Sequence, residues 1–124
     1  MTASGLRAVM LGLLVLGWPA SAGATWSIVA VDPQTREVGG AVASCVEGPA
    51  GTRWLPEVAA LVPGVGALAA QARFSPELRD RAWQRLRDGG IPQALLDAMQ
   101  ADDPDGATRQ YGVVTLDLQV AAFT

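Results

Sequence analysis

Thr25-Trp26-Ser27-Ile28-Val29-Ala30-Val31-Asp32-Pro33-Gln34-Thr35-Arg36-Glu37-Val38-Gly39-Gly40-Ala41-Val42-Ala43-Ser44-Cys45-Val46 is the stretch that decides the fold class. Trp26–Asp32 is rich in β-branched and aromatic residues and stops at Asp32-Pro33-Gln34-Thr35, where proline presets the backbone for a turn. Glu37–Val46 resumes as a second strand, and its small residues imply close cover by another layer. The two strands form an N-terminal hairpin. Cys45, lying in an apolar stretch, is expected to be a buried free thiol.

Downstream, glycines and Pro49 mark a loop over residues 47–53, and the apolar runs Val58–Val62 and Val65–Gln71 flank Pro63-Gly64. Proline followed by glycine suits a type II turn, so a second hairpin is expected there. Ser75-Pro76-Glu77 has the order of an N-cap, a first-turn proline and an early acid. Leu78, Ala82, Trp83 and Leu86 then form one apolar helix stripe that Gly89-Gly90 ends. Pro92 opens a second, shorter helix with Leu95, Leu96 and Met99 facing the core, ending near Asp102. Tyr111–Asp117 and Gln119–Phe123 read as a last strand pair around a tight turn. The order ββ, ββ, αα, ββ is an α+β pattern.

Upstream, Arg7 precedes Ala8–Trp18, an apolar run of eleven residues closed by Pro19. The small residues Ala20-Ser21-Ala22-Gly23-Ala24 follow, offering A-x-A frames before Thr25 and before Gly23. This is the three-part plan of a cleaved secretory peptide, and the run is well short of the about 20 residues that span a bilayer. Residues 1–24 are therefore expected to be a signal peptide, the alternative being an uncleaved N-terminal anchor, and the domain of residues 25–124 to be periplasmic or secreted, free of the membrane after cleavage.

Composition excludes much chemistry. The chain has no histidine, a single cysteine, and nine basic residues that are all arginine. Neither a Ser/His/Asp nor a Cys/His arrangement, a histidine-ligated zinc site, a thiolate cluster, a lysine Schiff base nor a P-loop lysine is available. A net charge of −3, more acidic still once Arg7 is lost, argues against nucleic acid as a partner. Asp102-Asp103-Pro104-Asp105-Gly106 lacks the first and twelfth carboxylates of a calcium loop and reads as an acidic turn. Gly64-Val65-Gly66 lacks the third glycine and the helix of a dinucleotide site. Arg79, Arg81, Arg85 and Arg87, interleaved with Asp80 and Asp88, read as a solvated helix face rather than an anion site. No cofactor and no metal site is expected.

Processing makes one residue chemically special. Cleavage after Ala24 gives Thr25 both a hydroxyl and a free α-amine, whose ordinary pKa is about 7.7–8.0. Such a residue carries its own nucleophile and its own base and needs no histidine. The alternative is that Thr25 simply begins a strand.

Four ordered segments carry a resemblance over residues 25–124. They are Thr25–Pro33; Val38–Ser44; Leu61–Ala67 with Gln71-Ala72; and Arg109–Val114 with Ala121-Ala122-Phe123-Thr124. Together they resemble a bacterial and archaeal family of unknown function that is assigned to the N-terminal-nucleophile (Ntn) hydrolase superfamily. The resemblance implies an αββα sandwich, here a partial one of antiparallel hairpins with two helices, and amide-bond hydrolysis from Thr25. Members of that family continue past the segment matching Ala121–Thr124, so a C-terminally truncated domain is expected. Some members carry a peptidoglycan-binding module, which by association points toward cell-wall material, and the expected substrate is a small-molecule, peptide or cell-wall amide. Many superfamily enzymes tune the nucleophile's amine with a lysine or arginine, which leaves Arg73 or Arg36 here. Ser44 and Gln71, polar residues at strand ends, either line a site beside Thr25 or satisfy backbone groups. The competing reading is a non-catalytic secreted binding or scaffold domain, or an inactive truncated product. An exposed sheet edge near Phe123 is expected to favour homo-oligomers.

Overall fold

A computed structural model describes residues 25–46, 54–73 and 75–124. Residues 1–24, expected to be a signal peptide, and residues 47–53, expected to be a loop, lie outside the described residues. The elements are β1 (Thr25–Asp32), β2 (Glu37–Ser44), α1 (Trp54–Val58), β3 (Ala59–Val62), β4 (Gly66–Gln71), α2 (Pro76–Arg87), α3 (Pro92–Ala101), a 3₁₀ turn (Gly106–Thr108), β5 (Gln110–Thr115) and β6 (Val120–Phe123). The order expected from sequence is present, with α1 added. Among the described residues the mixed α+β content comprises two antiparallel sheets and three helices.

The hairpin β1–β2 pairs residue for residue from Asp32↔Glu37 at the turn to Thr25↔Ser44 at the open end. The turn is built by Asp32, whose Oδ1 accepts the N–H groups of Gln34 at 2.8 Å and Thr35 at 3.2 Å. These two backbone donors hold the Asp32 carboxyl below its ordinary pKa. The second sheet has the order β3-β4-β5-β6. Its β3–β4 turn is the type II turn expected at Pro63-Gly64: Gly64 has φ 76°, and the Val65 N–H reaches the Val62 carbonyl at 3.0 Å.

The helices behave as their end signals predict. Ser75 caps α2, its Oγ accepting the Leu78 N–H at 3.4 Å, and Pro76 occupies the first turn. The C-terminus closes in a Schellman arrangement, with Gly90 N–H on the Arg85 carbonyl, Gly89 N–H on the Leu86 carbonyl, and Gly89 at φ 87°. Leu78, Ala82 and Leu86 of α2 and Leu95, Leu96 and Met99 of α3 are buried. They pack on Ala60, Val62, Leu68, Tyr111 and Val113, which line one face of the four-stranded sheet. Each of the larger apolar side chains, Leu68, Leu86 and Leu96, contributes roughly 1.5–3 kcal/mol by burial.

The other face of that sheet carries the hairpin, β1 resting on β4 and β5 and β2 on β3 and β4. The layers therefore run α2 and α3, four-stranded sheet, two-stranded sheet, with α1 against β2. Along β1, Thr25, Ser27, Val29 and Val31 turn toward the sheet beneath and are half-buried, while Trp26, Ile28, Ala30 and Asp32 are exposed. Cys45 corrects the expectation of a buried thiol: it is free and exposed. Ser44, the last residue of β2, points inward, so strand alternation turns the next residue out.

Candidate functional site

Strand alternation places Thr25 and Ser27 on the inner face of β1, and register places Ser44 opposite Thr25. The Thr25 Oγ1 and Ser44 Oγ lie 2.9 Å apart, within hydrogen-bond distance. Ser44 Oγ also accepts the Val46 N–H at 3.1 Å. On the facing sheet, Gln71 ends β4 and Gln110 begins β5, and the two are cross-strand partners. Ser27 Oγ donates to Gln71 Oε1 at 2.8 Å, and Gln71 Nε2 donates to Gln110 Oε1 at 2.8 Å. A row of hydroxyl and carboxamide groups thus bridges the two sheets at the open end of the hairpin.

Of the residues singled out from sequence, Thr25 and Ser44 are in direct contact, and Gln71 joins the same end of the sandwich through Ser27. Arg73 is not drawn to the hydroxyls. It lies beyond β4 with φ 63°, exposed, and its guanidinium pairs with Asp105 at 3.5 Å. The alternative arginine, Arg36, sits in the turn at the far end of the hairpin and donates to the Gly64 carbonyl at 2.9 Å. Sequence reasoning missed Ser27 and Gln110. The signal for Ser27 was period-2 spacing from Thr25, whereas Gln110 becomes visible only when β4 and β5 are paired.

The loop that delivers Gln110 is fastened by a buried ion pair. Arg109 and Asp103 are each 8% exposed, and the Arg109 Nε–H donates to Asp103 Oδ2. This bond holds the Asp103 carboxyl below its ordinary pKa and raises that of Arg109. Asp103 Oδ1 accepts the Asp105 N–H at 3.0 Å, completing the turn. Next to the pair, the Tyr111 hydroxyl is buried and has no hydrogen-bond partner among the described residues, and burial raises its pKa.

Other charged groups pair elsewhere. Arg85 pairs with Asp102 at 2.7 Å, Arg79 with Asp80 at 2.7 Å, and the Arg87 guanidinium lies 4.9 Å from the centre of the Trp83 ring. Cavities of about 380 and 610 Å³ open at the turn end of the sandwich, beside Arg36, and Thr25 lines neither. Among the described residues no group of three or more His, Cys, Asp or Glu is placed to hold a metal ion. Among those residues, too, no helix is long and apolar enough to cross a membrane.

A protein from Silicibacter pomeroyi, whose crystal structure carries the family description DUF1028, is 33% identical and superposes with a TM-score of 0.66. The match covers 81% of this chain and 42% of that one, so the chain spans less than half the length of this relative. No protein of curated function matches. The model of the family of unknown function DUF1028 matches residues 25–124, and the chain belongs to that family.

Proposed function

We propose that the chain is an exported amide hydrolase of the N-terminal-nucleophile type, with Thr25 as its nucleophile. The observation that carries this reading is the inter-sheet cluster itself. Thr25, Ser27, Ser44, Gln71 and Gln110 contain no ionisable side chain, yet Thr25 Oγ1 is held 2.9 Å from Ser44 Oγ at the mouth of the sandwich. Once the Ala24–Thr25 bond is cut, the base close at hand is the α-amine of Thr25. The hydroxyl oxygen attacks a substrate carbonyl and its proton passes to the amine. The amine then protonates the leaving nitrogen, and water hydrolyses the resulting ester on Thr25. The carboxamides of Gln71 and Gln110 retain N–H groups beyond the bonds described above, the type of donor a developing oxyanion requires. Uncharged walls suit peptide or cell-wall amides better than strongly charged substrates. The succession of helices, sheet and sheet is compatible with three of the four layers of an αββα sandwich.

The test compares protein whose mass begins at Thr25 with its Thr25→Ala and Thr25→Ser variants on a panel of peptide and muropeptide amides. Hydrolysis is expected from the parent and the serine variant and none from the alanine variant. The alanine variant should stay folded, losing about 0.5–1.5 kcal/mol with the Ser44 hydrogen bond. Turnover retained in Thr25→Ala, or absent from protein that begins at Thr25, overturns the reading.

A second reading, a non-catalytic secreted binding or scaffold domain, is favoured by one observation. Trp26 is 76% and Ile28 64% exposed on the outer face of the hairpin. Ligand binding that is lost in Trp26→Ala and unchanged in Thr25→Ala would identify it.

A further inference from the structure

A cavity of about 10 Å³ lies where the end of β4, the start of α2 and the start of β5 meet. That volume admits about one water, or one ion of similar size, and is too small for phosphate, sulfate or an organic carboxylate. Ala70 and Leu78 supply its apolar wall, and Arg73, Ser75, Arg109 and Tyr111 its polar one. The polar wall has one sign of charge. Arg73 and Arg109 line the cavity, whereas their carboxylate partners, Asp105 and Asp103, do not, and neither does Glu77 of α2. The Ser75 hydroxyl is already used, donating to Glu77 and accepting the Leu78 N–H. Arg109 is 8% exposed and uses its Nε on Asp103, which leaves the donors of its two terminal amino groups. Tyr111 is 4% exposed, and its buried hydroxyl has no hydrogen-bond partner among the described residues. Burial raises its pKa, Asp103 adds to the rise and Arg109 opposes it, so the group stays a protonated donor within electrostatic reach of the guanidinium. A buried donor without a partner destabilises the fold unless something completes it. What completes a neutral donor beside two guanidiniums, with no carboxylate in the lining, is an anion.

We infer that this cavity is a binding site for one chloride-sized anion, held by the Arg109 guanidinium, the Tyr111 hydroxyl and Arg73. Arg73 is the adjustable wall. Its side chain is 65% exposed and bridges Asp105 at 3.5 Å, so it can yield to an ion somewhat larger than water. The bound ion ties the end of β4 to the start of β5, next to the cross-strand partners Gln71 and Gln110. Nothing in this inference depends on Thr25 being a nucleophile.

The experiment places the full chain in sodium chloride, sodium gluconate or sodium sulfate at equal ionic strength. Thermal unfolding reads stability, and the line width of the chloride resonance in chlorine magnetic resonance reads binding. Replacing gluconate by chloride is expected to raise Tm by about 4 °C or more, and replacing it by sulfate to leave Tm unchanged. In gluconate, Tyr111→Phe should melt above the parent, because it lacks the unpartnered hydroxyl. In chloride, the same variant should bind the ion about tenfold more weakly and lose most of the Tm rise, and Arg73→Gln should also respond less than the parent. Arg36→Gln, at an exposed arginine in the hairpin turn, should keep the full response. A Tm that does not distinguish chloride from gluconate, an equal response to sulfate, an undiminished chloride response in Tyr111→Phe or Arg73→Gln, or equal weakening in Arg36→Gln each overturns the inference.

Discussion

Replacing Arg109 by Met removes the guanidinium from the buried pair while keeping most of its volume. Asp103 is then left 8% exposed, with Oδ1 on the Asp105 N–H and Oδ2 without its donor. Breaking one side of a buried pair costs about 3–5 kcal/mol, since it strands a charge away from water. A domain of this size has about 5–15 kcal/mol in total, so the variant sits near the margin of folding. At about 4–8 °C per kcal/mol, even a 3 kcal/mol loss lowers Tm by roughly 12–24 °C. The double variant Asp103→Asn/Arg109→Met removes the charge as well and should regain part of that loss. The pH dependence has a definite sign. Asp103 has a folded pKa below its ordinary 3.8, so its contribution is complete above that value and disappears as pH falls through the depressed one. In Arg109→Met the same carboxyl titrates upward, so parent and variant differ most near neutrality and converge in acid. Thermal unfolding by circular dichroism at pH 7 and below pH 4 measures both effects. A loss under about 1 kcal/mol at pH 7, or a difference that does not change with pH, would mean that the pair is screened like a surface bridge, and the reasoning fails.

Three further outcomes are expected. Tyr111→Phe should stabilise the protein by about 1 kcal/mol, because it deletes a buried hydroxyl without a partner among the described residues; a lower Tm would reveal a bound water or another partner. Gln71→Ala removes the bonds to both Ser27 and Gln110 and should cost about 1–3 kcal/mol, with faster amide exchange at the start of β5; a neutral effect in urea unfolding would show that the row contributes no stability. Cys45 should react stoichiometrically with a thiol reagent in the native protein, because it is exposed; protection until denaturation would restore the buried thiol.

Local signals were legible wherever neighbouring residues decide the outcome. The Ser75-Pro76 start of α2, its Gly89-Gly90 stop and the Pro63-Gly64 turn are contests between adjacent backbone groups and were readable directly. The helix α1 was not, because five residues carry too little periodicity and Val58 continues smoothly into an apolar strand. Arg73 was misleading for a related reason. Ala72 and Arg73 both take positive φ, at 58° and 63°, which the sequence Gln71-Ala72-Arg73 does not announce, and the side chain pairs with Asp105 instead.

For the site itself, the sequence determined that Thr25 and Ser44 lie on the two strands of one hairpin joined by a turn at Asp32-Pro33, and the register that sets them opposite each other came from the structure. The sequence also excluded histidine and lysine chemistry outright. Tertiary structure alone decided that Ser27 meets Gln71 across 44 residues and that Gln71 meets Gln110 across 39. The stacking of one sheet on another sets those contacts. No local preference encodes which polar residues a second sheet will bring within 3 Å, because that depends on how the apolar faces of all the layers settle together.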